Sequence, residues 1–363
     1  LKITGSGKDY KIELKINNFE INLHQFKYIK IKEKLHNDLP ECEIGLNIFQ
    51  EDLKHFLKIG SKIEFKFKVG DKSDKYEFFQ TSFEFVKDKR KFKLKIKGVL
   101  YVPDYFQNSF QQAFFKDKTT KKLFSTISTV TPKVLINTDT NDKQTWIRPN
   151  YTDKNWFEYL YNFSFISTDD LVICGLNFKK ELIINNLKNI LSKKPKLISN
   201  IDKKGIIKYQ TYTFKKSLGI LDYKMSPLRK VRTFDIPTHQ ISEFDLPNKS
   251  LFTGKVYNDL KKYYPFKILL NDFNTYPRYL YAYRYNQVMR KRLEFFKFYL
   301  ELFTDKLYDI ELLDFVEFKE KDEQTEKIIE TTAGTYIVGE KEIVFNEQKI
   351  ISQKIVLYRD YFL

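Results

Sequence analysis

Between Lys91 and Lys97 the chain reads Lys-Phe-Lys-Leu-Lys-Ile-Lys, and between Lys62 and Lys68 it reads Lys-Ile-Glu-Phe-Lys-Phe-Lys. A two-residue period cannot form a helical stripe. It demands an extended strand with one greasy and one solvated face. The same rhythm sets Tyr10, Ile12, Leu14 and Ile16 against Lys11, Glu13 and Lys15, and it returns at Ile29 and Ile31 and over 43–49 and 76–86. Asn17-Asn18, Asn37-Asp38, Gly70-Asp71 and Lys87-Asp88 supply turn chemistry between these runs, and Gly60 reads as a bend before a long strand. Strands at this spacing predict an antiparallel sandwich or barrel over residues 1–103.

The 363 residues carry 64 lysines and arginines against 47 aspartates and glutamates, a net charge of +17. Such a balance invites a nucleic-acid reading, but lysine dominates. Phosphate and base-edge recognition favours the planar donors of arginine. Here lysine alternates with apolar residues, which describes the wet face of strands. Cys42 and Cys174 lie far apart in apolar segments and read as buried free thiols, which fits a reducing folding compartment. No apolar run approaches the roughly 18 residues that span a bilayer, and the polar first ten residues do not read as a secretory signal. Length alone predicts two or three domains.

Pro103 ends the alternation. Asp117-Lys118-Thr119-Thr120 offers cap residues ahead of Leu123, Phe124 and Ile127, so 104–130 reads as a connecting helix. Thr152 can cap a helix carrying Trp156, Leu160 and Phe163, with Asp153 at its positive end. A buried strand over 171–174 and a second amphipathic helix over 181–191 complete a small α/β insert, 131–205. Residues 206–363 read as a second β unit, irregular at first and punctuated by Pro227, Pro237 and Pro247. A helix is predicted over 281–291, then strands over 293–302, 310–318, 334–338, 342–345 and 351–358.

Few residue constellations suggest chemistry. His24, His36, His55 and His239 show no metal-ligand spacing and the cysteines make no Cys-x-x-Cys, so no metal or cofactor is expected. Thr4-Gly5-Ser6-Gly7-Lys8 lacks the rest of a phosphate loop and reads as a flexible leader. Asp169-Asp170 reads as a turn and 317–323 as a solvated hairpin tip, so no enzyme is expected. The densest cluster holds Tyr279, Tyr281, Tyr283, Arg284, Tyr285, Arg290 and Arg292. Tyrosine and arginine anchor interfaces, pack helices onto sheets and stack on bases; a subunit interface, internal packing and base stacking all stay open. At the carboxyl end Gly334 allows close backbone approach, Tyr336 and Val338 share one strand face, and Arg359 lies near the close of the last strand.

Taken together, several segments resemble the baseplate hub proteins of contractile phage tails and related injection machines. They are Leu39-Pro40-Glu41-Cys42-Glu43-Ile44 entering a strand, Leu57-Lys58-Ile59-Gly60 before Ile63, Lys118-Thr119-Thr120-Lys121-Lys122-Leu123-Phe124, Trp146-Ile147-Arg148-Pro149-Asn150-Tyr151-Thr152-Asp153, and the stretch from Gly334 to Asp360 with its Leu357-Tyr358-Arg359-Asp360. The resemblance implies a mainly β (α+β) fold, with two tail-tube-like antiparallel β-barrel domains flanking a small α/β insert. It implies a homotrimer whose six barrels adapt a sixfold tail tube to a threefold spike, cover strand edges between neighbours and nucleate tube assembly. Implied partners are the tail tube protein, a separate spike protein, the tape-measure protein and, as a further candidate, wedge proteins, with DNA only in transit. The expected location is the virion baseplate, after synthesis in the host cytoplasm. Two alternatives come from other classes: a β-barrel nucleic-acid-binding protein, and a tail accessory with a carbohydrate-binding or lytic role.

Overall fold

The structure is a computed structural model that describes residues 2–5, 8–22, 24–36, 39–69, 72–106, 113–127, 132–167, 170–200, 205–216, 228–235, 240–247 and 267–270, the single positions 284, 288, 292 and 295, and 298–359 except 323, 324, 326, 349 and 350. The alternating runs form strands β1 (Lys2–Gly5), β2 (Lys8–Ile16), β3 (Phe19–Glu20), β4 (Phe26–Lys34), β5 (Glu41–Phe49), β6 (Lys62–Val69), β7 (Lys72–Asp88) and β8 (Lys91–Leu100). Asn17 and Asn18 both take positive φ, 49° and 66°, the twist-matched hairpin geometry that Asn tolerates. Gly60, at φ 82°, turns the chain into β6 as expected. The β7–β8 turn falls at Lys89 and Arg90, beyond the expected Lys87-Asp88, because those two residues still pair with Phe92 and Lys91. The expected flexible leader is instead a hairpin arm, since β1 pairs β2 as far as Gly5↔Lys8.

The region after Pro103 departs from its reading. Among the described residues of 104–130, only α1 (Thr120–Phe124) is α-helical, and Ala113–Lys118 is a strand, β9. The start of the helix is fixed from a distance and not by Thr119: the Asp142 carboxylate accepts from the Thr120 N–H at 2.8 Å and from its hydroxyl. Next come β10 (Lys133–Asn137), β11 (Gln144–Arg148), α2 (Asp153–Phe163), β12 (Val172–Leu176), β13 (Glu181–Asn186) and α3 (Leu187–Leu191). Thr152 caps α2 by accepting from the Asn155 N–H at 3.2 Å, as its sequence predicts. The helix expected over 181–191 is a strand followed by a single short helix. Its apolar residues serve a central strand, β13, which lies parallel to β10 and antiparallel to β12. Such a strand is apolar on both faces and loses the period that tells strand from helix.

The chain continues through β14 (Lys196–Ser199), β15 (Thr211–Lys216), β16 (Leu228–Asp235), β17 (Gln240–Pro247), β18 (Lys267–Leu270), β19 (Phe298–Thr304), β20 (Phe315–Lys319), β21 (Gly334–Asn346) and β22 (Ile351–Arg359). The strand expected over 293–302 starts only at Phe298, because positions 292 and 295 are still helical, as are 284 and 288. The other positions of the helix predicted over 281–291 lie outside the described residues. The strand expected over 310–318 is confined to β20, since Leu313 takes a positive φ of 66° and breaks the extended run.

These strands join in a 14-stranded sheet, ordered β1-β2-β6-β7-β8-β5-β4-β21-β22-β19-β15, with β3 on β2 and β20 bridging β21 to β14. The seam is β4 against β21, antiparallel from Lys34↔Glu340 to Tyr28↔Asn346. Both β units thus share one hydrogen-bonded sheet. Strands β16, β17 and β18 form a separate three-stranded sheet. One apolar cluster runs through the first β unit and into the insert, from Phe65 and Phe78 to Trp156, Phe157 and Phe178. A second, with Leu300, Phe318, Tyr336 and Leu357, fills the carboxyl-terminal unit. A third, including Leu35, Ile173, Val288, Phe295 and Ile337, lies where the units meet.

Candidate assembly surface

The closing hairpin β21–β22 unites three of the four residues singled out there. Gly334 sits at φ 147°, where a side chain is strained, and a Cβ on it would stand 2.8 Å from Arg359 Nη1. Into that space Arg359 donates to the carbonyls of Ala333 (3.0 Å) and Thr331 (3.1 Å), with its guanidinium 4.9 Å from the centre of the Tyr336 ring. Tyr336 in turn donates its hydroxyl to the Thr332 carbonyl at 2.6 Å. Val338 lies farther along β21, in the same core, and its N–H reaches the Asp314 carbonyl at 2.9 Å. Arg359 is only 3% exposed, so this motif ties the second β unit together from within.

Of the aromatic and basic cluster, only Arg284 and Arg292 lie among the described residues; Tyr279, Tyr281, Tyr283, Tyr285 and Arg290 lie outside them. Arg292 donates to Asn162 Oδ1 at 2.9 Å and to the Tyr161 carbonyl at 2.8 Å, and stands 3.9 Å over the Tyr161 ring. Arg284 lies 5.8 Å from the centre of the Phe165 ring. Val288 and Phe295, both at helical positions, are buried. These positions face the insert of their own chain.

A junction not anticipated from sequence binds the first β unit, the insert and the second β unit at one carboxylate. Glu33 of β4, 1% exposed, meets Lys341 Nζ of β21 at 2.8 Å and accepts from the Phe178 N–H at 2.9 Å. Burial drives the Glu33 carboxyl above its ordinary range, against the pull of Lys341. The signal was present: Glu33 falls in phase with the inward Ile29 and Ile31, and Lys341 with Ile343 and Phe345. A cleft of about 350 Å³ opens beside the junction, lined by residues of all three parts, among them Asp74, Tyr76, Lys179, Tyr308 and Glu311.

On the outer face of the sheet, lysines and glutamates of neighbouring strands pair, although Glu64 of β6 faces Glu77 of β7. Lys95 of β8 reaches Glu43 of β5 at 3.0 Å, Lys32 of β4 reaches Glu340 of β21 at 2.6 Å, and Lys354 of β22 and Lys215 of β15 flank Glu301 of β19 at 3.1 and 3.0 Å. Lys62 and Lys75 hold Glu77 at 3.0 and 3.1 Å, and Lys180 of the insert joins them at 3.1 Å. Cross-strand pairs of this kind fix register. The surplus cation lies elsewhere: residues 206–297 hold eighteen lysines and arginines against seven acids, a net +11 of the chain's +17.

The remaining candidates are structural where described. Asp170 accepts from the N–H groups of Leu171 (2.8 Å) and Lys188 (3.2 Å), and Glu317 pairs with Lys319 at 2.7 Å; Asp169 and Glu323 lie outside the described residues. His36 Nδ1 lies 2.9 Å from the Tyr161 hydroxyl and His55 stacks on Phe19, while His239 lies outside the described residues. Cys42 and Cys174 are both buried and in no disulfide, and burial pushes the Cys42 thiol up, away from reactivity. Among the described residues no group of His, Cys, Asp or Glu could hold a metal, and no helix is long and apolar enough to cross a membrane.

No protein-family model matches the chain, and no curated protein sequence matches it. Solved structures do. A tail protein from Neisseria meningitidis MC58 superposes with a TM-score of 0.60 at 11% identity, covering 97% of this chain and 97% of its own. The 43 kDa tail protein of prophage MuSo2 from Shewanella oneidensis gives 0.61 at 14% identity, covering 96% and 97%. Agreement over nearly the whole of both chains, with so little shared sequence, locates the likeness in the arrangement of strands and insert. The chain has the fold of these two tail proteins: mainly β, with largely antiparallel strands from both halves joined in one sheet beside a small α/β insert.

Proposed function

We propose that the chain is a non-catalytic subunit of a phage-tail baseplate hub, organised as a first β domain (1–103), a connecting segment (104–130), an insert (131–205) and a second β domain (206–363). Three copies form a ring that presents six β units to a sixfold tube and keeps threefold symmetry for a separate spike, and the ring nucleates tube assembly. Its other neighbours are the tape-measure protein and wedge proteins, with DNA passing through, and its place is the virion baseplate. One observation carries this reading: the end-to-end match to tail proteins includes both β units, fused through β4 and β21. Two linked units per copy are what a threefold object needs to face a sixfold one. Native mass spectrometry, alone and with co-expressed tube and spike proteins, tests it. A trimer that caps tube ends is expected; a monomer indifferent to both proteins removes the proposal.

A second reading, a β-barrel protein that binds nucleic acid, draws on the net +11 of residues 206–297. It requires steeply salt-dependent binding of single strands. The paired lysines of the sheet face count against it there.

A further inference from the structure

Strand β7 is paired on both sides only part of the way. Its partner β6 ends at Lys62, opposite Phe79, and the bend at Gly60 and Ser61 adds two hydrogen bonds to Gln80, at 2.7 and 2.9 Å. From residue 81 to residue 88 the strand has β8 on one side and no described strand on the other. Within this run only Phe83 is partly covered. Phe85, in the inward phase opposite Leu94, is 42% exposed; Val86 on the outer face is 59% exposed, and Ile59 at the mouth of the notch is 63% exposed. An edge of this length with no partner among the described residues is a template for another strand.

Charge says which kind of strand. Over this run the outward positions of β7 are Ser82, Glu84, Val86 and Asp88, facing Lys97, Lys95, Lys93 and Lys91 of β8. Two acid-bearing strands elsewhere in the sheet have a lysine-bearing strand on each side: β5 has β8 and β4, and β19 has β22 and β15. The strand that completes the pattern beyond β7 therefore carries a cation outward and apolar residues inward. One strand at the far end of the same sheet fits. β15 is last in the order, with Thr211, Thr213 and Lys215 on the outward face beside Glu301, and Tyr212 and Phe214 packed on the second core.

We propose that β15 of one copy adds antiparallel to the 81–88 edge of the next. Lys215 then lies opposite Glu84, Phe214 opposite Phe85, and Thr213 opposite Val86. Acid meets base on the outer face and ring meets ring within. Lys215 can turn to the new partner without stranding Glu301, which Lys354 also holds at 3.1 Å. The two edges differ, so the contact is head-to-tail and closes only as a ring. Closure at three rests on the trimeric reading above; the edge pairing is a separate claim.

The test uses the full chain carrying V86C with T213C, and the neighbouring pairs E84C with T213C and D88C with T213C, which cover a shift in register. Each is oxidised and run on a non-reducing gel, with the unmodified protein weighed by native mass spectrometry. Cys42 and Cys174 are buried and give no background, which single-cysteine variants check. A covalent ladder ending at three copies is the expected result for at least one pair. A trimer by mass with no ladder from any pair overturns the edge pairing and leaves the trimer standing, whereas a monomer overturns both. E84K should lower the trimer fraction roughly fivefold, and adding K215E should restore it. E84K with no effect overturns the pairing of Glu84 with Lys215.

Discussion

The two β units of this molecule hold together by different means. The first leans on an apolar wall that it shares with the insert, where Tyr76 and Phe78 meet Phe178 and Trp156 and Phe157 continue the same cluster. The second has a smaller apolar cluster among its described residues and ties its long connections down with buried polar side chains. Arg359 holds the backbone at Thr331 and Ala333, and Gln353, 1% exposed, accepts from the Tyr308 N–H at 3.0 Å. A sheet with a partner packed on it can rely on burial. One whose loops fold back on themselves needs hydrogen bonds to hold those loops, because their backbone groups have no strand to pair with.

The contrast can be broken most forcefully at Trp156. Trp156→Ala empties a fully buried site, stacked between Phe115 and Tyr159, in the cluster that runs from the insert into the first unit, and should cost about 3–5 kcal/mol. Hydrogen exchange should show both regions losing protection together while β19, β22 and β21 keep theirs. Protection lost from the insert alone would mean the two do not share a core. Next in size is the junction. Lys341→Met leaves Glu33 buried without its partner and should cost about 3 kcal/mol in urea unfolding. Because the desolvation cost of the pair disappears with both charges, the double variant E33L/K341M should recover most of that loss. Recovery would mark the pair as a device for orientation more than for stability.

Within the second unit, Arg359→Met keeps the volume but removes the buried donor to two part-buried carbonyls, and a loss of about 1–3 kcal/mol is expected in the same measurement. Gly334→Ala should cost about 1–3 kcal/mol as well, through both its φ of 147° and the crowding of Arg359. The smallest effect is acid sensitivity. Burial raises the Glu77 carboxyl, but hydrogen bonds from Lys62, Lys180 and Lys75 outweigh it and bring it from 4.5 to about 2. A carboxyl lowered on folding lends its stability in full above its unfolded value and loses it as pH falls. The tie between β7 and the insert should therefore weaken between about pH 4.5 and 2. Thermal melts of E77Q over that window should be flatter than those of the unaltered chain.

Legibility in the sequence followed burial geometry. Strands with one wet face announced themselves, which is why β2, β4, β5, β6 and β8 fall where their alternation puts them. So did α2, whose cap at Thr152 and apolar positions at Trp156 and Leu160 agree. The strand β13 did not, because a strand buried on both faces loses its period. The remote capping of α1 by Asp142 was also out of reach, since the carboxylate arrives from 22 residues away in sequence. The Gly334–Arg359 tie was legible as a pattern and not as a contact. The Glu33 junction was readable in principle: a charge in the inward phase of an otherwise greasy strand asks for a partner, and Lys341 stood in the same phase of its own strand.

The β4–β21 seam also governs how the molecule bears load. Its strands run antiparallel over the whole overlap from Tyr28 to Lys34, so tension applied along them stretches every rung of the ladder together instead of peeling one at a time. A pull transmitted from one half of the protein to the other thus meets a shear-loaded joint, stiffer than the flexible hinge that two separately folded lobes would share.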